Sequence, residues 1–158
     1  MNVIYLDNNA TTQVDPEVVQ AMLPFYSELY GNPSSMHSFG GGVAARIKEA
    51  RENVARLLGA AADEIVFTSC GTESDSTALW SAIRAWPEKK HVITTKVEHP
   101  AVLNLAKFLE TQGYRVTYLP VDSTGQINLE DLKAALTPET ALVSIMWANN
   151  ETGVIYPV

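Results

Sequence analysis

Three short polar stretches gather the side chains of this chain that could do chemistry. The first is Ser69-Cys70-Gly71-Thr72-Glu73-Ser74, which follows an apolar run and precedes apolar residues at helical spacing. A glycine that lets backbone approach closely, a threonine hydroxyl and the unpaired N–H groups of a starting helix together suit a phosphate. Neither GxxxxGK(S/T) nor GxGxxG is present, so this is not a Walker loop or a dinucleotide fingerprint. Ser69 or Thr72 would equally serve as an ordinary helix cap, and the local sequence leaves both readings open. In the second stretch, "ITTKVEHPAV", His99 stands immediately before Pro100 at a strand-to-helix junction. An imidazole there can stack on a flat ring, exchange a proton or simply cap the helix. The third, "MWANNETG", sets Asn149 and Asn150 after an apolar run. Two amides at a strand end can hold a ligand oxygen, or only shape a turn.

Cys70 needs its own reading. A helix N-terminus lowers a thiol's pKa, but a cysteine against a strand end reads as a small apolar filler, and that is the expectation here. His37, His91, His99 and Cys70 lack ligand-like spacing, so no metal site is expected.

Positioning these stretches requires strands that end at them. Apolar and β-branched runs predict strands at residues 65–68, 91–95, 115–120 and 141–147, alternating with helices at 72–85, 100–112 and 129–136. Strands separated by helices of this length imply right-handed crossovers and a mainly parallel sheet between helices. The class is α/β, and ligands of such sheets bind where strand carboxyl ends meet helix starts. Before this alternation, residues 3–6 are extended, Asp15-Pro16 opens a helix that Pro24 kinks or stops, "GNPSSMHSFGGG" is a loop, and residues 43–58 form an amphipathic helix ended by Gly59. The last strand runs into a polar turn and the sequence closes soon after, which reads as the front of a larger domain.

Bulk properties narrow the partners. With 158 residues, 46% hydrophobic and 18% charged, the chain suits one ordinary soluble domain. A net charge of -7 argues against nucleic acid or an anionic membrane as partner. The first residues show no secretory pattern, no apolar run is long enough to span a bilayer, and the single cysteine fits a reducing compartment. A cytoplasmic location is expected.

The segments "YLDNNATT", "YGNPSSMHSFG", "EIVFTSCGTESDSTA", "ITTKVEHPAVL" and "ALVSIMWANNETGVIYPV" together resemble the cysteine desulfurases, in the class V aminotransferase branch of the type I pyridoxal-phosphate enzymes. Their wording is most similar to the nitrogen-fixation, NifS-like type. The resemblance implies an aspartate aminotransferase-like large domain: an arm over residues 1–15, a helical segment over 16–59 and the first half of the cofactor-binding domain over 60–158. It implies pyridoxal 5'-phosphate as cofactor, with Gly71 and Thr72 on the phosphate, His99 stacked on the pyridine ring and moving protons, and Asn150 donating to the phenolic oxygen. The implied reaction takes L-cysteine to L-alanine and an enzyme-bound persulfide, which feeds iron-sulfur cluster assembly through a scaffold protein. The implied enzyme is a homodimer. Its cofactor-bearing lysine and persulfide cysteine match nothing here, so these 158 residues alone are expected to be inactive. A selenocysteine lyase or class V aminotransferase would share the same motifs, and a non-catalytic phosphate- or partner-binding fragment is the alternative of a different kind.

Overall fold

The computed structural model describes residues 3–158 and divides into two units, the first ending at Phe67 and the second comprising Thr68–Val158. Of the arm expected over residues 1–15, the first two residues lie outside the described range. Residues 3–7 form no regular element, and Val3, Ile4 and Leu6 are exposed.

In the first unit, helix α1 (Pro16–Met22) starts where Asp15 accepts the Glu17 N–H at 2.8 Å, with Pro16 in the first turn, where a missing N–H costs nothing. Pro24 ends it, because proline has no N–H to donate back along the helix, and the chain restarts as the single turn α2 (Pro24–Ser27). Helix α3 spans Ser38–Leu58 and closes on Gly59, whose φ of 67° is left-handed backbone that glycine adopts without a Cβ penalty. It therefore begins five residues before the expected start at Val43, within the glycine-rich stretch read as loop. His37 explains the difference, since its Nδ1 accepts the Gly40 N–H at 3.2 Å and caps the early start. Gly40 must be glycine there: a Cβ would stand 2.4 Å from the Asn32 carbonyl oxygen. After a 3-10 turn (Ala62–Glu64), the Arg51 guanidinium donates to the Ile65 carbonyl and lies over the Phe67 ring at 4.8 Å. The strand expected at 65–68 is not formed. The segment has strand composition, but no ladder partner among the described residues, and Val66 remains 70% exposed. Apolar pattern nominates a strand; only pairing makes one.

The second unit opens with α4 (Gly71–Ala85) and continues through β1 (His91–Thr95), α5 (Pro100–Thr111), β2 (Arg115–Leu119), α6 (Leu129–Ala135) and β3 (Thr140–Val143). The strands form a parallel sheet in the order β2-β1-β3, so β1 is central and all five of its residues are buried. Helices α4 and α5 lie together on one face, where Trp80 meets Phe108 edge to face at 6.1 Å. Ile83, Val92 and Leu109 form the core beneath them, flanked by Leu105, Val116 and Leu142. Each such apolar side chain contributes about 1.5–3 kcal/mol on burial. The chain then reverses direction across the sheet from β2 to β3, so a right-handed crossover carries α6 to the opposite face. Strand β3 is shorter than the predicted 141–147. The Ser144 N–H still donates to the Ile93 carbonyl at 2.9 Å, but the Met146 N–H leaves the ladder for the Glu98 carboxylate.

Candidate functional site

The first turn of α4 is organised by its own polar residues. Cys70 is the N-cap in extended backbone, and Glu73 reaches back to accept both the Ser69 N–H and the Ser69 hydroxyl at 2.6 Å each. Those two bonds, the hydroxyl first, hold the Glu73 carboxyl below the usual carboxylate range. The Cys70 thiol is likewise drawn below its ordinary value, chiefly by the backbone N–H of Glu73 and then by the Ser69 hydroxyl. This corrects the expectation of a small apolar filler: Cys70 is exposed at the cap position of α4, where the Ser69 hydroxyl lies 3.7 Å from its sulfur. Cys70 makes no side-chain cap bond to the helix, and a Cβ placed on Gly71 would meet nothing within 4 Å. Open space at Gly71 and the positive end of a fifteen-residue helix fit a phosphate.

His99 lies one strand further on, at the N-cap of α5. Its Nδ1 accepts the Ala101 N–H at 3.1 Å, and its backbone is in the extended region that a residue before proline prefers. Since Nδ1 accepts, a neutral ring carries its proton on Nε2. The ring is exposed, so the capping bond fixes its attitude without burying it. Its neighbour Glu98, which the sequence reading passed over, is buried. Its Oε1 accepts the Thr95 hydroxyl at 3.1 Å and the Met146 N–H at 2.9 Å. Burial pushes this carboxyl above the usual range, with the Asp75 charge adding to the shift against the two hydrogen bonds. An acid inside a strand-to-helix junction, where every polar group must find a partner, was the available signal.

The turn after β3 separates the two asparagines. Asn149 is buried, and its Oδ1 accepts the N–H groups of Glu151 and Thr152 at 2.9 Å and the Thr152 hydroxyl at 3.2 Å. Its Nδ2 donates to the Val97 carbonyl at 3.1 Å. That amide is committed to shaping the turn, whereas Asn150 is exposed and donates to the Glu151 carboxylate at 3.1 Å. Two bonds therefore stitch the loop after β1 to the loop after β3, one from each side: Met146 to Glu98, and Asn149 to Val97. His99 and Asn150 each sit next in sequence to a stitched residue. The loops bearing His99 and Asn150 thus meet beyond the carboxyl ends of β1 and β3, and Thr72 lies in the first turn of α4. Among the described residues no group of acids, histidines and cysteine could hold a metal ion, and no helix is long and apolar enough to cross a membrane.

The aminotransferase class-V family model matches residues 4–158. A cysteine desulfurase from a Nostoc species is 63% identical over 158 residues, covering all of this chain and 40% of the relative. The cysteine desulfurase NifS of Azotobacter vinelandii is 61% identical over 156 residues, covering 98% of this chain and 39% of its own length. A solved NifS-like protein superposes with a TM-score of 0.91 at 47% identity, covering 95% of this chain and 42% of that structure. The chain spans about two fifths of the length of the curated relatives it matches. By its motifs, its parallel sheet and the match along nearly its whole length, this chain belongs to the aminotransferase class-V family.

Proposed function

We propose that the protein carrying this chain is a pyridoxal-phosphate-dependent cysteine desulfurase of the NifS type. The observation that carries the reading is the pair of bonds that joins the loop of the capped His99 to the Asn149-Asn150 turn beyond the carboxyl ends of β1 and β3, and the open helix start at Gly71 supports it. The high identity to desulfurases along the whole chain supports it and favours this reading over other class-V activities. In this reading Gly71 and Thr72 hold the cofactor phosphate, His99 lies on the pyridine ring and Asn150 donates to the phenolic oxygen. Bound pyridoxal phosphate supplies the electron sink that makes the α-carbon of L-cysteine acidic. The chain's own residues orient that sink. His99, with Nδ1 engaged by Ala101, keeps Nε2 as the atom that gives or takes a proton. In the net reaction the carbon–sulfur bond of L-cysteine breaks and a sulfur–sulfur bond forms on an enzyme thiol, so cysteine plus thiol gives L-alanine plus persulfide. The sulfur then passes to an iron-sulfur scaffold protein, and the enzyme works in the cytoplasm as a homodimer. The test is to load the full-length protein with pyridoxal phosphate and supply L-cysteine. Alanine and reductant-releasable sulfide in equal amounts are expected. A cofactor-loaded protein that yields pyruvate or no amino-acid product overturns the assignment.

A further inference from the structure

The loops bearing His99 and Asn150 leave different strands, and the ladder does not fix their separation. Its last rung is the bond from the Ser144 N–H to the Ile93 carbonyl. Beyond that rung the Glu98 side chain takes over: one carboxyl oxygen, Oε1, accepts from Thr95 at the end of β1 and from Met146 on the neighbouring loop. Glu98 is only 6% exposed, and no cation pairs with it among the described residues. Asp75 and Tyr156 both lie near enough to interact with its charge, and neither compensates it. Burying an acid without a counter-charge is costly, so its retention calls for a reason other than stability. Its reach supplies one: a side chain of this length spans from the end of β1 to the backbone of Met146. The second stitch, from Asn149 to Val97, runs the other way between the same loops and ends on the residue before Glu98.

We infer that Glu98 is a positioning residue that sets the spacing between the His99 and Asn150 loops, acting through the reach of its Oε1 and not through its charge. The inference rests on the reading above that these two side chains contact pyridoxal phosphate. Two variants of the full-length protein separate reach from charge. Glu98→Gln keeps an oxygen at the same distance and removes the charge, whereas Glu98→Asp keeps the charge and draws the oxygen back by one methylene. Amide hydrogen exchange at Met146, measured without cofactor, reads the stitch itself; titration of cofactor-free protein with pyridoxal phosphate reads its consequence. Glu98→Gln is expected to behave as the parent in both. Glu98→Asp is expected to speed exchange at Met146 and weaken cofactor binding, each by about tenfold, the equivalent of one lost hydrogen bond. Parent-like behaviour of Glu98→Asp, or equal damage from Glu98→Gln, overturns the inference while leaving the proposed function standing. A parent protein that takes up no pyridoxal phosphate removes both. Should Glu98→Asp not fold, the parent alone decides: a Met146 amide as protected as those of β1 supports the stitch, and one exchanging like an open loop overturns it.

Discussion

Two histidines sit at opposite ends of the same strand and are built for opposite purposes. His91 opens β1 at the amino edge of the sheet, is 0% exposed, and has both ring nitrogens bonded: Nδ1 to the Thr140 hydroxyl of β3 at 2.8 Å, Nε2 to the Thr117 hydroxyl of β2 at 2.9 Å. It ties all three strands together and leaves nothing for a ligand. His99, beyond the carboxyl end, is exposed, uses one nitrogen on its own helix and keeps Nε2 available. The difference teaches how a parallel sheet divides its labour. At the amino edge, polar groups are consumed holding strands in register; at the carboxyl edge, they are held in place with some capacity unspent.

The largest effect expected from breaking this contrast is at His91. His91→Ala opens a cavity and takes a hydrogen-bond partner from the Thr117 hydroxyl and from Thr140, which keeps its bonds to Thr137, a loss of about 3 kcal/mol. A shifted denaturant midpoint with pyridoxal-phosphate affinity unchanged in the folded fraction is the expected result; loss of affinity alone would erase the division between the two ends. Titration gives the same residue a second signature. Burial, then the Arg115 charge, push the imidazole below its ordinary value, against a smaller opposing pull from Glu139. A depressed histidine binds its proton more readily in the unfolded chain, so its contribution is fully present above the unfolded value of about 6.5 and is lost as pH falls through the folded value. Acid sensitivity in that window, with a slope of at most about 1.4 kcal/mol per pH unit, is therefore expected in the parent and absent in His91→Ala.

A substitution at His99 is expected to give the reverse pattern, and His99→Asn is the sharper choice. Asparagine caps helices as well as any residue, so the bond to the Ala101 N–H survives and folding stability changes little. The flat ring, however, is gone. Removing an aromatic contact of this kind weakens cofactor binding by about tenfold. Unaltered absorbance and affinity for pyridoxal phosphate would mean that His99 does no more than cap α5.

Much of this contrast is legible from the sequence, and the part that is not has a common cause. The helices and strands after Gly71 fall within a few residues of their predicted limits, because each is marked locally by period, proline and glycine. Asp15 and His99 declare themselves as caps for the same reason. Whatever depends on a distant partner escapes a local reading. Residues 65–68 have strand composition but no ladder, α3 starts early because His37 and the fold of Asn32 over Gly40 allow it, and Glu98 matters through a bond 48 residues away. Cys70 was misplaced because its surroundings were judged from the strand before it and not from the helix it caps.

One residue short of the carboxyl end of β1 lies the smallest and most discriminating case. Thr94 is fully buried, and its hydroxyl is without a hydrogen-bond partner among the described residues. Its neighbour Thr95 donates to Glu98 and accepts the Val97 N–H at 3.3 Å, so adjacent threonines on one strand differ entirely in how they are satisfied. Valine matches the shape of threonine and carries no hydroxyl to desolvate. If the polar groups of this strand are present only where a partner awaits them, Thr94 is the exception, and Thr94→Val stabilises the fold by about 1 kcal/mol. Thr95→Val, by contrast, removes a partner from Glu98 and destabilises by a similar amount. Equal denaturant midpoints for the two variants would show that the satisfied hydroxyl contributes no more than the orphan, and that the strand's polarity does not track its distance from the carboxyl edge.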